Sequence, residues 1–430
     1  MPRTILVWFK NDLRLHDNET LYRACPQADR VIPLYVFDPR PFAMHPLGFA
    51  RTGNFRTQYL IETVTSLRQK LEAKGSNLLV RIGLPEFIIP EICANNAVSE
   101  VFTSHEIAAE ERLVFKNLSD KLQEMKLGFT TFATAPLLHP ADLPFKVSEL
   151  PNQFTSFRKA VERNLVVRMP LPEPALKPLP EIEPGTIPSL RDFELPTIKP
   201  TSKSVITYAG GEAAALAHVQ DYIWTKDLLK TYKETRNGLL GPDYSSKFSP
   251  ALSLGCLSAR TIYYEVKKYE QQRVANDSTY WLIFELLWRD YFRLVAEKYG
   301  SKIFRAGGIR DREIKWQRDE KKFEAWRTGT TGVDFVDANM KELLCTGFMS
   351  NRGRQNVASY LTKDLGIDWR WGAAWFESQL IDYDVCSNWL NWAYVAGVGN
   401  DPRQDRYFNI ESQASKYDPF GHYVKFWFTE

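Results

Sequence analysis

The chain has 430 residues, 44% of them hydrophobic and 25% charged, with a net charge of +3. That length and balance predict two or three globular domains and exclude wholesale disorder, and no apolar run approaches the ~20 residues of a membrane span. Five scattered cysteines without a Cys-x-x-Cys pair, six scattered histidines and an N-terminus lacking signal-peptide architecture exclude a disulfide scaffold and a zinc site, so the expectation is a metal-free protein of the cytoplasm, outside any membrane and acting as a monomer.

Along the first 135 residues, short apolar runs at 5–9, 31–37, 78–82, 101–103 and 129–132 read as strands. Stretches 55–74 and 109–125 carry apolar residues at spacings of three and four and read as helices. Alternation of this kind predicts an α/β domain with a doubly wound parallel sheet. No Gly-x-Gly-x-x-Gly or Walker loop follows the first strand, so an ordinary dinucleotide or triphosphate site is not expected there.

Residues 136–204 read as a connector, since 136–200 hold 13 of the 25 prolines, which remove backbone donors and resist regular structure. From 205 to 430 helical patterns dominate, at 210–233, 258–270, 279–299, 334–345, 353–365, 372–380 and 385–396. Eleven of the twelve tryptophans lie beyond residue 220, as a large aromatic core or a site for a flat aromatic ligand would require. Between Arg289 and Arg327, 12 Lys/Arg stand against 7 Asp/Glu, a solvated face or a surface suited to phosphates.

Several constellations in the helical half carry chemistry. Asp384, Asn388 and Trp392 recur at i, i+4 and i+8, with Asp382 just before them. Such a stripe either faces solvent or meets a ligand that supplies partners, and a flavin ring offers an imide N–H and ring nitrogens. Asn351 and Gln355 share a face, while Arg354 points elsewhere and is a candidate partner for Asp382. Glu285 and Trp288 stand at i, i+3 in an otherwise apolar helix, as a surface glutamate would, or as a pocket for a base stacked on the indole. Tyr232 and the run Ser245, Ser246, Lys247, Phe248 and Ser249 set hydroxyls and a cation before a helix, the composition of a phosphate cradle.

Taken together, residues 6–18, 244–260, 285–293, 351–377 and 382–403 resemble the photolyase/cryptochrome family over nearly the whole chain, and most closely its DASH-type branch. The resemblance implies an α/β antenna domain (1–135), the connector (136–204) and an all-α FAD-binding domain (205–430). It implies light-driven repair of cyclobutane pyrimidine dimers in DNA, preferably single-stranded, by electron transfer from excited reduced FAD. A blue-light photoreceptor signalling through flavin photoreduction is the alternative.

Carried over by position, Tyr232 and Ser245 to Ser249 hold the phosphates and ribityl chain. Trp281, Glu285 and Trp288 line the flavin and lesion side, and Arg354, Asp382, Asp384 and Asn388 surround the isoalloxazine. Glu285, Trp288, Asn351 and Asn388 form the catalytic set, and Arg289, Asn351, Arg352, Gln355 and Tyr394 contact DNA. Trp392, Trp369 and Trp316 match the family's electron-transfer chain, and Glu110 matches the acid that binds a methenyltetrahydrofolate antenna. Three positions depart from the pattern: Ala109 where relatives carry an amide, Tyr394 where many dimer photolyases carry tryptophan, and Leu390 where glycine is expected beside Asn388.

Overall fold

The computed structural model describes every residue except Met1, Pro200, Ile206, Thr207, Gln404, Asp405 and Glu430. The strands are β1 (Thr4–Phe9), β2 (Arg30–Phe37), the two-residue β3 (Met44–His45) and β4 (Phe49–Ala50), β5 (Leu79–Ile82), β6 (Val98–Ser104) and β7 (Gly128–Phe132). Five of them form one parallel sheet in the order β5-β2-β1-β6-β7, the doubly wound arrangement expected. Every residue of β1 is buried and its side chains divide by alternation. Ile5, Val7 and Phe9 pack with α1 (Glu19–Gln27) and α2 (Asn54–Glu72), whereas Leu6 and Trp8 pack with α3 (Pro85–Asn95) and α4 (Ala109–Glu124). The sequence reading missed α1 and α3, each of which contains a proline, Pro26 and Pro90, that breaks the pattern.

Doubly wound sheets place ligands where the strand order reverses, at the carboxyl ends of the strands. Here that crevice, between β1 and β6, receives the helical half instead. A Cβ on Gly255 would lie 2.0 Å from the Asn11 carbonyl oxygen, so only glycine fits there. The Arg14 guanidinium donates to the carbonyls of Gly255, Asp17 and Thr134, and Asp17 pairs with Arg260 at 2.6 Å with both side chains buried. The loop after β1 is therefore an interdomain clamp.

The connector is more ordered than its prolines predict. It forms α5 (Phe154–Glu162), which buries Phe154, Phe157 and Val161 against the helical half. Near its far end the Pro184 carbonyl accepts the Val80 amide at 2.7 Å, covering the open edge of β5.

The helical half comprises α6 (Glu212–Gln220), α7 (Tyr232–Thr235), α8 (Ser249–Ser253), α9 (Ala259–Gln272), α10 (Asp277–Tyr299), α11 (Glu320–Thr328), α12 (Asp334–Thr346), α13 (Asn351–Ser359), α14 (Trp369–Gln379), α15 (Val385–Ala396), α16 (Ile410–Tyr417) and α17 (His422–Phe428). The single helix expected at 210–233 is broken, because Asp227 takes a left-handed conformation and its carboxylate is held by Lys230, Tyr269 and Arg273. Leu390 leaves α15 unbroken: its side chain is buried in the core with Ile381 and Cys386.

Candidate functional site

The first-turn backbone of α15 is capped by Asp384, whose carboxylate accepts the Ser387 amide at 2.7 Å. Burial opposes the charge on Asp384, yet Arg293, Arg289 and that amide hold its carboxyl below the usual range. Asn388 is fixed by donating from Nδ2 to the Ala373 carbonyl of α14 at 3.0 Å. The predicted Arg354–Asp382 pair forms at 2.9 Å, and Ser249 donates to the same oxygen, Asp382 Oδ2, at 2.6 Å. Asp382 Oδ1 is buried and has no protein partner. A buried acceptor of this kind calls for a donor from a ligand.

The loop before α8 turns through two left-handed residues, Ser245 and Lys247, with Phe248 right-handed between Lys247 and the helix. Alternating backbone hand of this sort turns amide groups toward one concave side. Lys247 does not extend into that concavity. Its ammonium is buried, donates to the carbonyls of Pro242 and Tyr244, and is pushed by burial down to about 7. It supports the loop from beneath, and Ser249 is committed to Asp382, so neither fits the phosphate role expected from sequence. Ser246 is buried, with its carbonyl against His218, and Tyr232 is buried beside Ser245.

On α10, Trp281, Glu285 and Trp288 follow one another along a face. Arg236 forms an ion pair with Glu285 and lies 5.4 Å from the Trp281 ring. Burial raises the Glu285 carboxyl while Arg236 opposes the rise. The Trp281 indole N–H is buried on the side of the Glu285 carboxylate. Trp288 stacks on Phe154 at 3.7 Å between ring centroids, and Tyr394 stands edge-on to it at 6.0 Å and 88°. Tyr394 is itself held by Arg406, which Asp401 anchors.

Asn351 is exposed at the start of α13, behind the Ser350 cap. Arg352 reaches Asn237 at 3.2 Å and lies 4.6 Å from the Tyr417 ring. Gln355 turns inward, leaving Oε1 buried and unpartnered, so the shared face with Asn351 is half rim and half pocket. Arg289 leaves the DNA-contacting set: its guanidinium donates to the carbonyls of Ala135 and Leu252, holding the end of the α/β domain to α8.

The three predicted relay tryptophans lie in one aromatic region. Trp392 is buried over Gly372, with Phe376 5.0 Å and Trp326 6.0 Å away. Trp369 and Trp316 both donate to the carbonyl of Ala306, at 3.1 and 3.2 Å. Glu110 sits in the first turn of α4, mostly exposed, and pairs with Arg51 at 2.8 Å. The sequence reading missed its neighbour Glu111, which burial beside Glu106 pushes up to about 7; the paired glutamates at 110–111 were the available signal.

Residues 5–178 match the family described as DNA photolyase, and residues 281–430 match the FAD-binding domain of DNA photolyase. Cryptochrome DASH of Gloeobacter violaceus is 53% identical over 429 residues, covering the whole of this chain and 86% of that protein. Cryptochrome DASH of Xenopus laevis is 51% identical, covering the whole chain and 83% of that protein. The crystal structure of the Synechocystis cryptochrome superposes with a TM-score of 0.96 at 53% identity, covering 99% of this chain and 89% of that one. A class III photolyase from Agrobacterium tumefaciens gives 0.86 at 30% identity, covering 99% and 86%. With an α/β parallel-sheet domain clamped to a helical FAD-binding domain, the chain belongs to the photolyase/cryptochrome family, in its cryptochrome DASH branch.

Proposed function

We propose that the chain repairs cyclobutane pyrimidine dimers in DNA with light, acting as a monomer on preferentially single-stranded substrate. The observation that carries this reading is the aromatic corner of Trp288 and Tyr394, one ring backed by Phe154 and the other by Arg406. Two rings at right angles make a corner against which the two linked pyrimidines of such a lesion can pack.

The residues present fit an FAD. Asp382 Oδ1 is an unpartnered acceptor suited to an imide N–H, and Arg354 with Ser249 holds that carboxylate in place. Ser245 and Ser246 supply hydroxyls and turned backbone amides to the phosphates, and Tyr232 backs the loop. Asp384, Asn388 and Trp281 complete the polar and aromatic lining. When bound and reduced, FAD supplies the photoexcited electron donor. Glu285 contacts the lesion from its ion pair with Arg236, while Asn351 and Arg352 at the rim take the DNA strand. A dimer must leave the stack to enter, at a cost of a few kcal/mol from duplex and less from a single strand. Tyr394 presents a smaller ring than tryptophan, which supports the single-strand preference. A folate antenna would meet the acidic first turn of α4, at Glu110 and Glu111.

Blue-light repair of thymine dimers by pre-reduced protein, on single-stranded and duplex DNA, tests the reading. Repair confined to single strands supports it, and equal repair of duplex removes the strand preference. Absence of repair by flavin-loaded, photoreducible protein would sink it in favour of the photoreceptor reading, which the Trp369–Ala306–Trp316 arrangement supports.

A further inference from the structure

Trp369 is fully buried and is a branch point between two half-buried indoles. Trp316 shares its Ala306 carbonyl, and Trp389 meets its ring edge to face at 5.7 Å and 77°. The two indoles differ in what their N–H groups face. Those of Trp316 and Trp369 point at a neutral carbonyl. That of Trp389 is shared between the Tyr383 hydroxyl at 3.2 Å and the Glu377 carboxylate at 3.3 Å. Glu377 is in turn paired with Arg51 at 3.3 Å and has only 12% of its side chain exposed.

An indole that has lost an electron is a far stronger acid than a neutral one. A peptide carbonyl cannot keep the released proton, whereas a carboxylate can. A nearby anion also favours the positive charge before the proton moves. We infer that Trp389 is a second terminus of the electron route and the one at which the oxidised state is trapped, with Glu377 as its proton acceptor. The inference rests on the photoreduction chemistry of the preceding reading.

The balance is closed within the protein and its cofactor. One electron leaves Trp389 for Trp369, replacing the electron that Trp369 has given to Trp392 and Trp392 to the flavin. The Nε1–H bond of Trp389 breaks, an O–H bond forms on Glu377, and Trp389 is left as a neutral radical. Return of the electron from the flavin is accompanied by return of the proton. Tyr383, with Arg56 over its ring at 4.4 Å, stays a hydrogen-bond partner that orients the indole.

The test is flash photolysis of the FAD-loaded protein, following tryptophan radicals by transient absorption and electron paramagnetic resonance. Trp389→Phe should lose the long-lived neutral radical, while Trp316→Phe should keep it. Glu377→Gln should retain the ring contact but lose radical deprotonation and its solvent deuterium effect, a readout that a structural role would not move. Flavin content checks each variant, and Glu377→Gln decides the matter should Trp389→Phe fail to load. A neutral radical that survives in both Trp389→Phe and Glu377→Gln, and vanishes in Trp316→Phe, overturns the inference alone. Absence of any light-induced radical in unaltered, FAD-loaded protein overturns the photoreduction chemistry together with it.

Discussion

Phe154, from the connector, lies flat on Trp288, from α10, with ring centroids 3.7 Å apart and planes 12° from parallel. Phe154 also meets Phe284 and Tyr291 edge-on, so a single connector residue fixes the back of the aromatic corner. Replacing Phe154 by alanine removes a buried ring and leaves a cavity, at a cost of about 3–5 kcal/mol. Urea unfolding should show that loss, and binding of dimer-containing DNA should fall with it. Unchanged lesion binding by folded Phe154→Ala would mean that the stack does not position Trp288.

Asp382 gathers Ser249 and Arg354 on one oxygen and leaves the other for a ligand donor. Asp382→Asn keeps the shape but removes the charge that both donors and the ligand use. FAD affinity should weaken by about 1–3 kcal/mol, or about 5–150-fold in Kd. Titration by flavin fluorescence measures this directly, and an unaltered Kd would take Asp382 out of the cofactor site.

Glu342 is fully buried on α12, accepts the Tyr423 hydroxyl of α17 at 2.6 Å, and is pushed by burial up to about 8. Its ordinary value is 4.5, so between about 4.5 and about 8 the folded protein holds a proton that the unfolded chain has released. Stability contributed by this group is complete below the lower value and declines as pH rises to the upper one, by at most about 1.4 kcal/mol per pH unit. Unfolding measured at several pH values should show Glu342→Gln losing that part of the slope. An identical pH dependence in both proteins would mean that Glu342 is ionised in the fold.

Arg260 and Asp17 form the buried ion pair of the interdomain clamp, supplemented by the Ser258 hydroxyl. Removing one partner strands the other charge, so Arg260→Ala should cost about 3–5 kcal/mol. Limited proteolysis should then cut at the domain junction before either half is degraded. Cooperative unfolding at the original midpoint would show that the apolar interface alone holds the halves together.

The alternating apolar runs determined the parallel sheet, because its central strand β1 is buried on both faces and its residues have no other place to go. The spacing of Asp384, Asn388 and Trp392, with Arg354 upstream, made the polar stripe around α15 legible, since positions i, i+4 and i+8 share a helix face whatever surrounds them. Contacts between distant segments were not legible. Local sequence could not show that a proline-rich connector sends Phe154 under Trp288, that Lys247 turns inward, or that Arg289 is taken up by backbone carbonyls. It could not show that Glu377 of α14 meets Trp389 of α15 either. Periodicity fixes which face a side chain occupies, but which partner awaits it there is decided by packing of the whole chain, where burial penalises every polar group left unmatched.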